Sequence, residues 1–413
     1  MFGRLVGCAA AGAATAVAHS AAIAAAIRVL RGSCIDLGWG FAWPLDSKSR
    51  GTRWCRASTQ HVSTVSGGTA VGSIGFPQIR DMDAPLPRTA SPAVTVEDID
   101  DPALIGAGIE LIRQDGVLLP PRALRARRVV VRLDSVAVVF HSTQVRVRTH
   151  TSVGEGWLGY VAFGPRARGT VNGLPVRPGL LLVAQPGVQA SFVTEAGWAS
   201  LTFLVRPDEL RAHLIARGRE DEFRLPCGIE TLQVETARAR RLFAWGRRLV
   251  DTAARDPARF NERMHERGAV QVELIEMLLA TLRSADAVET TRGERTGQAH
   301  SRIVKRAEAF ALAHGDEPLL VGDLCRAAAV SERTLENAFK EITGLTPVAY
   351  LMRLRLHRVR QALLAAPRGS TTVTTEALNW GFWHFGDFSR AYQECFGELP
   401  SATLRRKPDR VSA

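Results

Sequence analysis

Residues 323–340 read DLCRAAAVSERTLENAFK, and this stretch decides the fold of the last quarter of the chain. Its first seven residues predict a helix, and the small side chains of Ala328 and Ala329 would let a second helix cross it closely. Ser331 precedes that second helix, where its hydroxyl oxygen can accept a hydrogen bond from a free backbone N–H of the first turn. An apolar stripe at helical spacing follows, formed by Leu335, Ala338, Phe339 and Ile342. The stretch therefore predicts a helix-turn-helix unit.

The face opposite this stripe is polar and predicts contact with DNA. It carries Arg333, Glu336, Asn337 and Lys340. The major groove of B-DNA admits one α-helix, and long polar side chains read the base edges there. Our candidates for DNA contact in this first unit are Ser331, Arg333, Thr334, Asn337 and Lys340.

A second unit repeats the plan. Thr374–Asn379 predicts a short helix, residues 380–384 (WGFWH) predict the turn, and Gly386–Phe396 predicts the second helix. Asp387 could cap that helix or accept a hydrogen bond from cytosine. The candidates for DNA contact are His384, Gly386, Asp387, Ser389, Arg390 and Gln393. We assign the aromatic residues of this unit to its core instead of to base stacking: Trp380, Phe382, Trp383, Phe385 and Phe388.

One long basic helix is predicted between the two units. Its apolar stripe consists of Met352, Leu356, Val359 and Leu363. A helix of roughly 20 residues spans about 30 Å, and major-groove half-sites on one side of DNA recur about every 34 Å. One chain could therefore place two recognition helices into successive turns of the groove. On the polar faces we expect phosphate contacts, with a solvated helix face or structural ion pairs as alternatives, from Arg353, Arg355 and Arg360.

The segment resembles the AraC/XylS family of transcriptional regulators over about the last quarter of the chain. The residues that match are Val330-Ser331, Arg333-Thr334-Leu335, Phe339-Lys340, Gly344, Pro347, Tyr350-Leu351, Arg355-Leu356, Leu363-Leu364, Gly381-Phe382, Phe388-Ser389-Arg390, Phe396-Gly397 and Pro400-Ser401. Two positions depart from the pattern: Asn337 stands where many members carry Arg, and Thr403-Leu404 replaces the usual Tyr-Arg. The turn at residues 381–385 and the ending at 401–406 look like the subgroup that contains ethanolamine-utilisation regulators.

The resemblance implies a set of partners. Family members bind double-stranded DNA, respond to a small-molecule effector and contact RNA polymerase, so we expect an activator, although repression is equally compatible with the residues. The family position also favours DNA-facing roles for Arg390 and Gln393. The effector, the operator sequence and the oligomeric state do not follow from the sequence.

Composition is compatible with this function but does not carry it. The chain has 413 residues, which predicts two or three domains, and a formal net charge of +12, which suits an anionic partner. Excess arginine also accompanies GC-rich coding, so charge alone decides little. The six cysteines show no paired spacing and no Cys/His ligand run, so neither a disulfide framework nor a zinc site is indicated. A reducing cytoplasm fits this pattern.

Residues 1–95 do not resemble a packed domain. The run Leu5–Leu30 is rich in alanine and could be a secretory signal or a membrane span, but His19 and Ser20 interrupt it. We interpret the segment as a disordered or mis-started extension, and Met82 could be the functional start. We therefore expect no membrane association.

Residues 96–206 predict a β domain. Seven short apolar runs separated by turn signals are candidate strands: Val129–Leu133, Val136–Phe140, Val145–Arg148, Trp157–Phe163, Leu180–Val183, Ala190–Val193 and Ala199–Val205. They suggest a small barrel or sandwich, in agreement with the cupin-like sensing domains that the resemblance implies. The spacing of His141 and His150 lacks a metal-ligand pattern, so we expect no metal, no cofactor and no catalytic set.

The remaining boundaries follow from changes in periodicity. Residues 207–285 predict helices that either mediate dimerisation or pack on their own barrel, 286–300 a linker, and 301–407 the DNA-binding domain. The predicted fold is multidomain α+β: an amino-terminal cupin-like β-barrel with flanking helices, then an all-α domain of two helix-turn-helix units joined by a long helix. The predicted function is a cytoplasmic, effector-responsive, sequence-specific transcriptional regulator, with a possible homodimer. The alternatives are a cupin-type enzyme with a helical tail and a membrane-tethered regulator.

Overall fold

A computed structural model describes residues 92–106, 110–262, 264–317, 319–367 and 369–406. The expected amino-terminal extension lies outside these ranges except for its last four residues. Nothing in the structure therefore bears on the run Leu5–Leu30 or on Met82. Among the described helices, none combines the length and the apolar character that a membrane crossing requires.

The amino-terminal half of the described chain is built from two antiparallel sheets. The larger sheet has the strand order β1-β3-β4-β11-β6-β9-β12-β13, and the smaller has the order β2-β5-β10-β7-β8. The strands are β1 (Val94–Ile99), β2 (Ile112–Leu118), β3 (Ala126–Leu133), β4 (Val136–Thr143), β5 (Val147–Val153), β6 (Leu158–Phe163), β7 (Gly169–Val171), β8 (Leu174–Pro175), β9 (Leu180–Ala184), β10 (Gln189–Thr194), β11 (Trp198–Val205), β12 (Ile229–Gln233) and β13 (Asp286–Ala287).

All seven candidate strands overlap observed ones, but the expected closed barrel is not confirmed. The two sheets remain separate ladders among the described strands, and Val153 of β5 forms an isolated bridge with Pro186, between β9 and β10. Six strands of the structure had no candidate in the sequence, because their runs are short or mixed in polarity: β1, β2, β7, β8, β12 and β13. The β region is therefore a two-sheet structure.

Two tight hairpins set the register of the sheets. Asp134 and Ser135 connect β3 to β4, and Asp134 has a positive φ of 57°. Asn172-Gly173 connects β7 to β8 with φ values of 49° and 81°, as expected for an Asn-Gly turn. A Cβ atom on Gly173 would collide with the carbonyl oxygen of Gly297, so this hairpin tip approaches the following helical domain closely.

Four helices between β11 and β13 cover the outer face of the larger sheet. They are α1 (Pro207–Ile215), α2 (Thr236–Arg255), α3 (Pro257–Glu262) and α4 (Met264–Leu282). Leu242 of α2 and Leu278 of α4 are fully buried in one core with Leu201 and Phe203 of β11. Gly246 lets α2 approach the sheet, since a Cβ atom there would press on both β11 side chains. These helices therefore pack on their own β domain in the described chain.

The carboxy-terminal domain is helical. Its elements are α5 (Arg292–Ala313), α6 (Val321–Ala328), α7 (Glu332–Thr343), α8 (Pro347–Ala365), α9 (Val373–Asn379), α10 (Phe385–Phe396) and α11 (Pro400–Arg405). Helix α5 begins inside the segment that we expected to be a linker. Thr291 and Glu294 form a capping box that starts the helix there, a Thr-x-x-Glu signal that the sequence reading missed.

Candidate nucleic-acid interface

The first helix-turn-helix unit is formed by α6 and α7. Helix α6 ends at Ala329, whose left-handed φ of 56° turns the chain, and Ser331 then caps α7 by accepting a hydrogen bond from the Thr334 N–H at 3.3 Å. Leu335 and Phe339 are fully buried against α5 and α8. Capping and the 2.9 Å contact between their hydroxyls occupy Ser331 and Thr334, so both position the helix.

The polar face of α7 is open to solvent. Arg333, Asn337 and Lys340 are all exposed, while the opposite stripe is buried. Three long polar side chains on one helical face are what major-groove readout requires. The structure thus places these three candidates together.

The second unit is formed by α9 and α10. Phe388, Tyr392 and Cys395 turn inward. The candidates His384, Gly386, Asp387, Arg390 and Gln393 are exposed, and Ser389 is half-buried. Asp387 does not act as an N-cap: it lies in the first turn and its carboxylate is 3.6 Å from the Arg390 guanidinium, with both side chains exposed.

The aromatic residues of this unit divide into two groups. Phe382 and Phe388 are buried with ring centroids 4.9 Å apart, as expected for core residues. Trp383 is 60% exposed and Phe385 is 42% exposed, so our assignment of these two residues to the core is wrong. The turn between the helices gave no periodicity from which their direction could be inferred.

Helix α8 joins the units, and its arginines have separate surroundings. Arg353 and Arg355 are half-buried, and Arg355 donates a hydrogen bond to the carbonyl of Glu317 at 3.0 Å. Arg360 is only 3% exposed, which contradicts its expected phosphate contact. Its guanidinium donates to both carboxylate oxygens of Asp101 at 2.8 and 2.7 Å and lies 2.9 Å from Glu398.

Asp101 precedes the β domain's first helical turn, so the Arg360 cluster joins the β domain to the second unit. Burial opposes ionisation of Asp101, but the hydrogen bonds and charge of Arg360 lower the pKa of the carboxyl overall. Burial lowers the pKa of Arg360, but the hydrogen bonds and charge of Asp101, with the nearby Tyr392 and Glu398, raise it overall. Asp101 and Arg360 therefore remain a charged pair inside the contact between the β domain and the helical domain.

A second buried cluster joins the smaller sheet to α5. Arg148 of β5 donates two hydrogen bonds of 2.7 Å to the carboxylate of Glu308, and these side chains are 1% and 3% exposed. The Tyr350 hydroxyl donates to the same carboxylate, and His150 Nε2 lies 3.2 Å from it. Burial would raise the pKa of Glu308, but Arg148 holds it well below its usual range. We call Arg148, His150, Glu308 and Tyr350 the clamp.

Strand β2 makes the third contact, with α8. The backbone N–H of Leu118 donates to His357 Nε2 at 3.2 Å, and Asp115 pairs with Arg358. Burial lowers the pKa of His357 to about 3, and the charges of nearby Asp and Arg side chains have smaller effects in both directions. The ring is therefore neutral, and its Nε2 atom can accept this hydrogen bond. At the other end of the interface, Arg146 donates to the Thr343 carbonyl at 3.0 Å, at the carboxy-terminal end of α7.

A cavity of about 90 Å³ lies between the two sheets. Its wall is mainly apolar, with residues such as Ile112, Leu182 and Phe192, and it also carries hydroxyl groups of threonine and serine. His141 is also a wall residue; its Nε2 atom is buried and has no hydrogen-bond partner among the described residues. Burial, and next the charge of Arg128, lower the pKa of His141 to about 3. The cavity wall is therefore apolar with polar side chains at a few positions.

The residues that join the β domain to the helical domain could not be identified from the sequence. The members of each pair are far apart in the chain: the residue numbers differ by 160 for Arg148 and Glu308 and by 259 for Asp101 and Arg360. The signal that existed was the pair Arg148 and His150 at alternate positions of an apolar strand. In the part of the chain that the structure describes, no group of three or more His, Cys, Asp or Glu side chains is placed to hold a metal ion.

Comparison with known proteins gives one family. Residues 324–406 match the family model described as a helix-turn-helix domain. The probable thc operon regulatory protein of Rhodococcus erythropolis is 39% identical over 108 residues, 26% of this chain and 32% of that protein. The XylDLEGF operon transcriptional activator of Pseudomonas putida is 39% identical over 83 residues, 20% of this chain and 26% of that protein. The chain thus spans about a third or less of the length of these relatives.

The chain is similar to a probable AraC family transcriptional regulator from Rhodopseudomonas palustris CGA009, with 36% sequence identity and a TM-score of 0.23. The match covers 25% of this chain and 95% of that one.

Proposed function

Because the chain belongs, through its carboxy-terminal domain, to the AraC/XylS family of transcriptional regulators, we propose that it binds a specific DNA site with both helix-turn-helix units and regulates transcription there. One observation carries the proposal. The outward faces of α7 and α10 are exposed and carry polar side chains, while the β domain is held by α5 and by the inner face of α8. Both helices are therefore free to enter a groove.

The contacts with DNA divide by chemistry. Arg333 and Asn337 of α7 and Arg390 and Gln393 of α10 would read base edges, where a bidentate contact is worth about 1–3 kcal/mol of discrimination. Lys340, Arg353 and Arg355 would contact phosphate, which fixes the register on the duplex without reading sequence. Helix α8 has 19 residues and is therefore about 28 Å long, close to one turn of the groove.

The β domain is the proposed sensor, with a cupin-like arrangement of its two sheets, which run from β1 to β13. A small, largely apolar effector with a hydrogen-bonding group would fill the cavity and meet the threonine and serine side chains of its wall. Such a ligand can act only through different affinities for two arrangements of the protein. The clamp is the element whose stability the ligand would change, because β5 contributes both to the cavity wall and to the clamp. The remaining partners in this proposal are RNA polymerase and a second copy of the chain.

In vitro selection from a random DNA pool tests the central proposal. We expect a bipartite site whose halves lie about one helical turn, or about 10 base pairs, apart. The variant Arg390→Ala should lose more affinity for that site than for random DNA, whereas Arg211→Ala, an exposed change in the β domain, should lose none. A pool without enrichment, or equal losses for Arg390→Ala on both DNAs, would contradict the proposal.

Effector binding is tested separately. A thermal-shift screen of small metabolites should find a compound that stabilises the chain and also changes its affinity for the selected site. By linkage, the DNA must then change the affinity for that compound by the same factor. A compound that binds the cavity without altering DNA affinity would count against the sensor role.

A further inference from the structure

Two large aromatic side chains lie exposed at the start of α10. Trp383 and Phe385 have 60% and 42% of their surface in contact with solvent. The interior of the second unit is already filled, since Phe382 packs on Phe388 at 4.9 Å and Phe388 on Tyr392 at 5.8 Å between ring centroids. The two exposed rings therefore have no role in that core.

The position of these rings is that of base contact. They flank His384, the N-cap residue of α10, and recognition helices contact base edges with their amino-terminal residues. Gly386 follows with open space around it, so no side chain at that position would keep the helix away from a groove. Arg390 lies one turn further along and is exposed too. The apolar pair is thus continuous with the polar DNA-reading face.

We propose that Trp383 and Phe385 read thymine through its C5-methyl group in the major groove. This inference rests on the proposed function, because it requires α10 to enter the groove. The thymine methyl is the apolar group that base edges display there, and apolar side chains contact it. An uncharged aromatic ring gains much less from contact with phosphate or with the polar groups of the base edges than from contact with this methyl group. The second half-site therefore contains one or two thymines whose methyl groups contribute to affinity.

The magnitude follows from the size of a methyl group. Burying one methylene-sized group changes a binding constant about fourfold. Replacing the contacted thymine by deoxyuridine removes only the methyl group and keeps base pairing. For the wild-type chain we expect about fourfold weaker binding at each contacted position and no change at other positions.

The experiment uses the full chain and its selected DNA site, with single thymine-to-deoxyuridine replacements through both halves. Trp383→Ala and Phe385→Ala should bind the normal site more weakly and should no longer distinguish thymine from deoxyuridine at their own positions. Phe385→Leu should keep part of the discrimination, because its side chain remains apolar. Leu399→Ala is the matched control: it removes another exposed apolar side chain, 46% exposed, from the same unit. It should leave the discrimination intact.

The outcomes separate this inference from the function on which it rests. A wild-type chain that selects a site but binds its deoxyuridine forms equally well would overturn the methyl contact and leave DNA binding standing. Variants that lose affinity yet keep the wild-type discrimination would overturn it too and would point to a protein partner on this pair. A chain that selects no site would remove both proposals together.

Discussion

Replacing Arg148 by methionine would remove the positive charge of the clamp while keeping much of the volume of the side chain. The carboxylate of Glu308 would stay buried, at 3% exposure, with Tyr350 and His150 as its remaining partners. Removing one partner of a buried ion pair typically costs about 3–5 kcal/mol, because the other charge is left uncompensated. The remaining partners of Glu308 place our expectation near the lower end, at about 3 kcal/mol.

The measurement is the free energy of unfolding in urea, combined with hydrogen exchange of the amides in β5 and α5. We expect Arg148→Met to reduce both the stability and the protection of these two elements. The matched control is Arg211→Met, which breaks an ion pair whose side chains are 56% and 53% exposed and which should cost less than about 1 kcal/mol. A combined variant with Arg148→Met, Glu308→Leu and Tyr350→Phe should recover most of the loss, since it leaves only the half-buried His150 Nε2 of the clamp without its partner.

If Arg148→Met lowered the free energy of unfolding no more than Arg211→Met does, the buried ion pair would not have the stabilising role proposed for it. That role would also be refuted if α5 kept full protection while distant helices such as α2 lost theirs. If the clamp transmits the effector signal, Arg148→Met should in addition reduce the dependence of DNA affinity on any cavity ligand. An unchanged dependence would leave the structural role of the pair intact and would contradict its role in regulation.

Other expectations concern pH, capping and DNA contacts. Because the pKa of His141 and of His357 falls from 6.5 to about 3 on folding, the unfolded chain binds more protons between these values, and stability should fall as pH decreases from about 6.5 towards 3. The slope is at most about 1.4 kcal/mol per pH unit for each histidine, and urea unfolding of His357→Gln should show a smaller slope; an unchanged slope would contradict this. Ser331→Ala should lose about 1 kcal/mol in thermal unfolding, and Ser331→Asp should lose little. In binding titrations Asn337→Ala should relax sequence preference, whereas Lys340→Ala should weaken all DNAs alike and reduce the salt slope by about 1; the reverse pattern would refute these roles.

The helix-turn-helix units could be predicted because their determinants are local. Ser331 caps α7 and the stripe from Leu335 to Ile342 is buried, as spacing indicated. A cap and a periodic stripe act within a few residues, so the sequence displays them directly. The same holds for the central strands of the sheets, whose apolar runs are flanked by turn residues.

The interface could not be predicted, because it depends on pairs distant in the chain. Arg360 had the helical position of a solvent-facing or phosphate-binding residue, and only the packing of Asp101 and Glu398 beside α8 explains its burial. Trp383 and Phe385 illustrate the opposite error. Their size suggested a core that Phe382 and Phe388 had already filled.

The alternation of side chains along β5 explains how a cavity and an interface can share one layer of protein. Val147, Thr149 and Thr151 line the cavity, while Arg148 and His150 point to the other face and contact Glu308. Successive side chains of a strand point to opposite faces of the sheet, so every clamp residue on β5 lies between two cavity residues. A ligand that displaces the Thr149 backbone would displace Arg148 and His150 with it. Because the clamp is buried and its bidentate geometry is specific, a small shift would weaken it more than it would an exposed pair. A ligand in the cavity could therefore alter the placement of α5 through β5 alone. The placement of the first helix-turn-helix unit would change with α5.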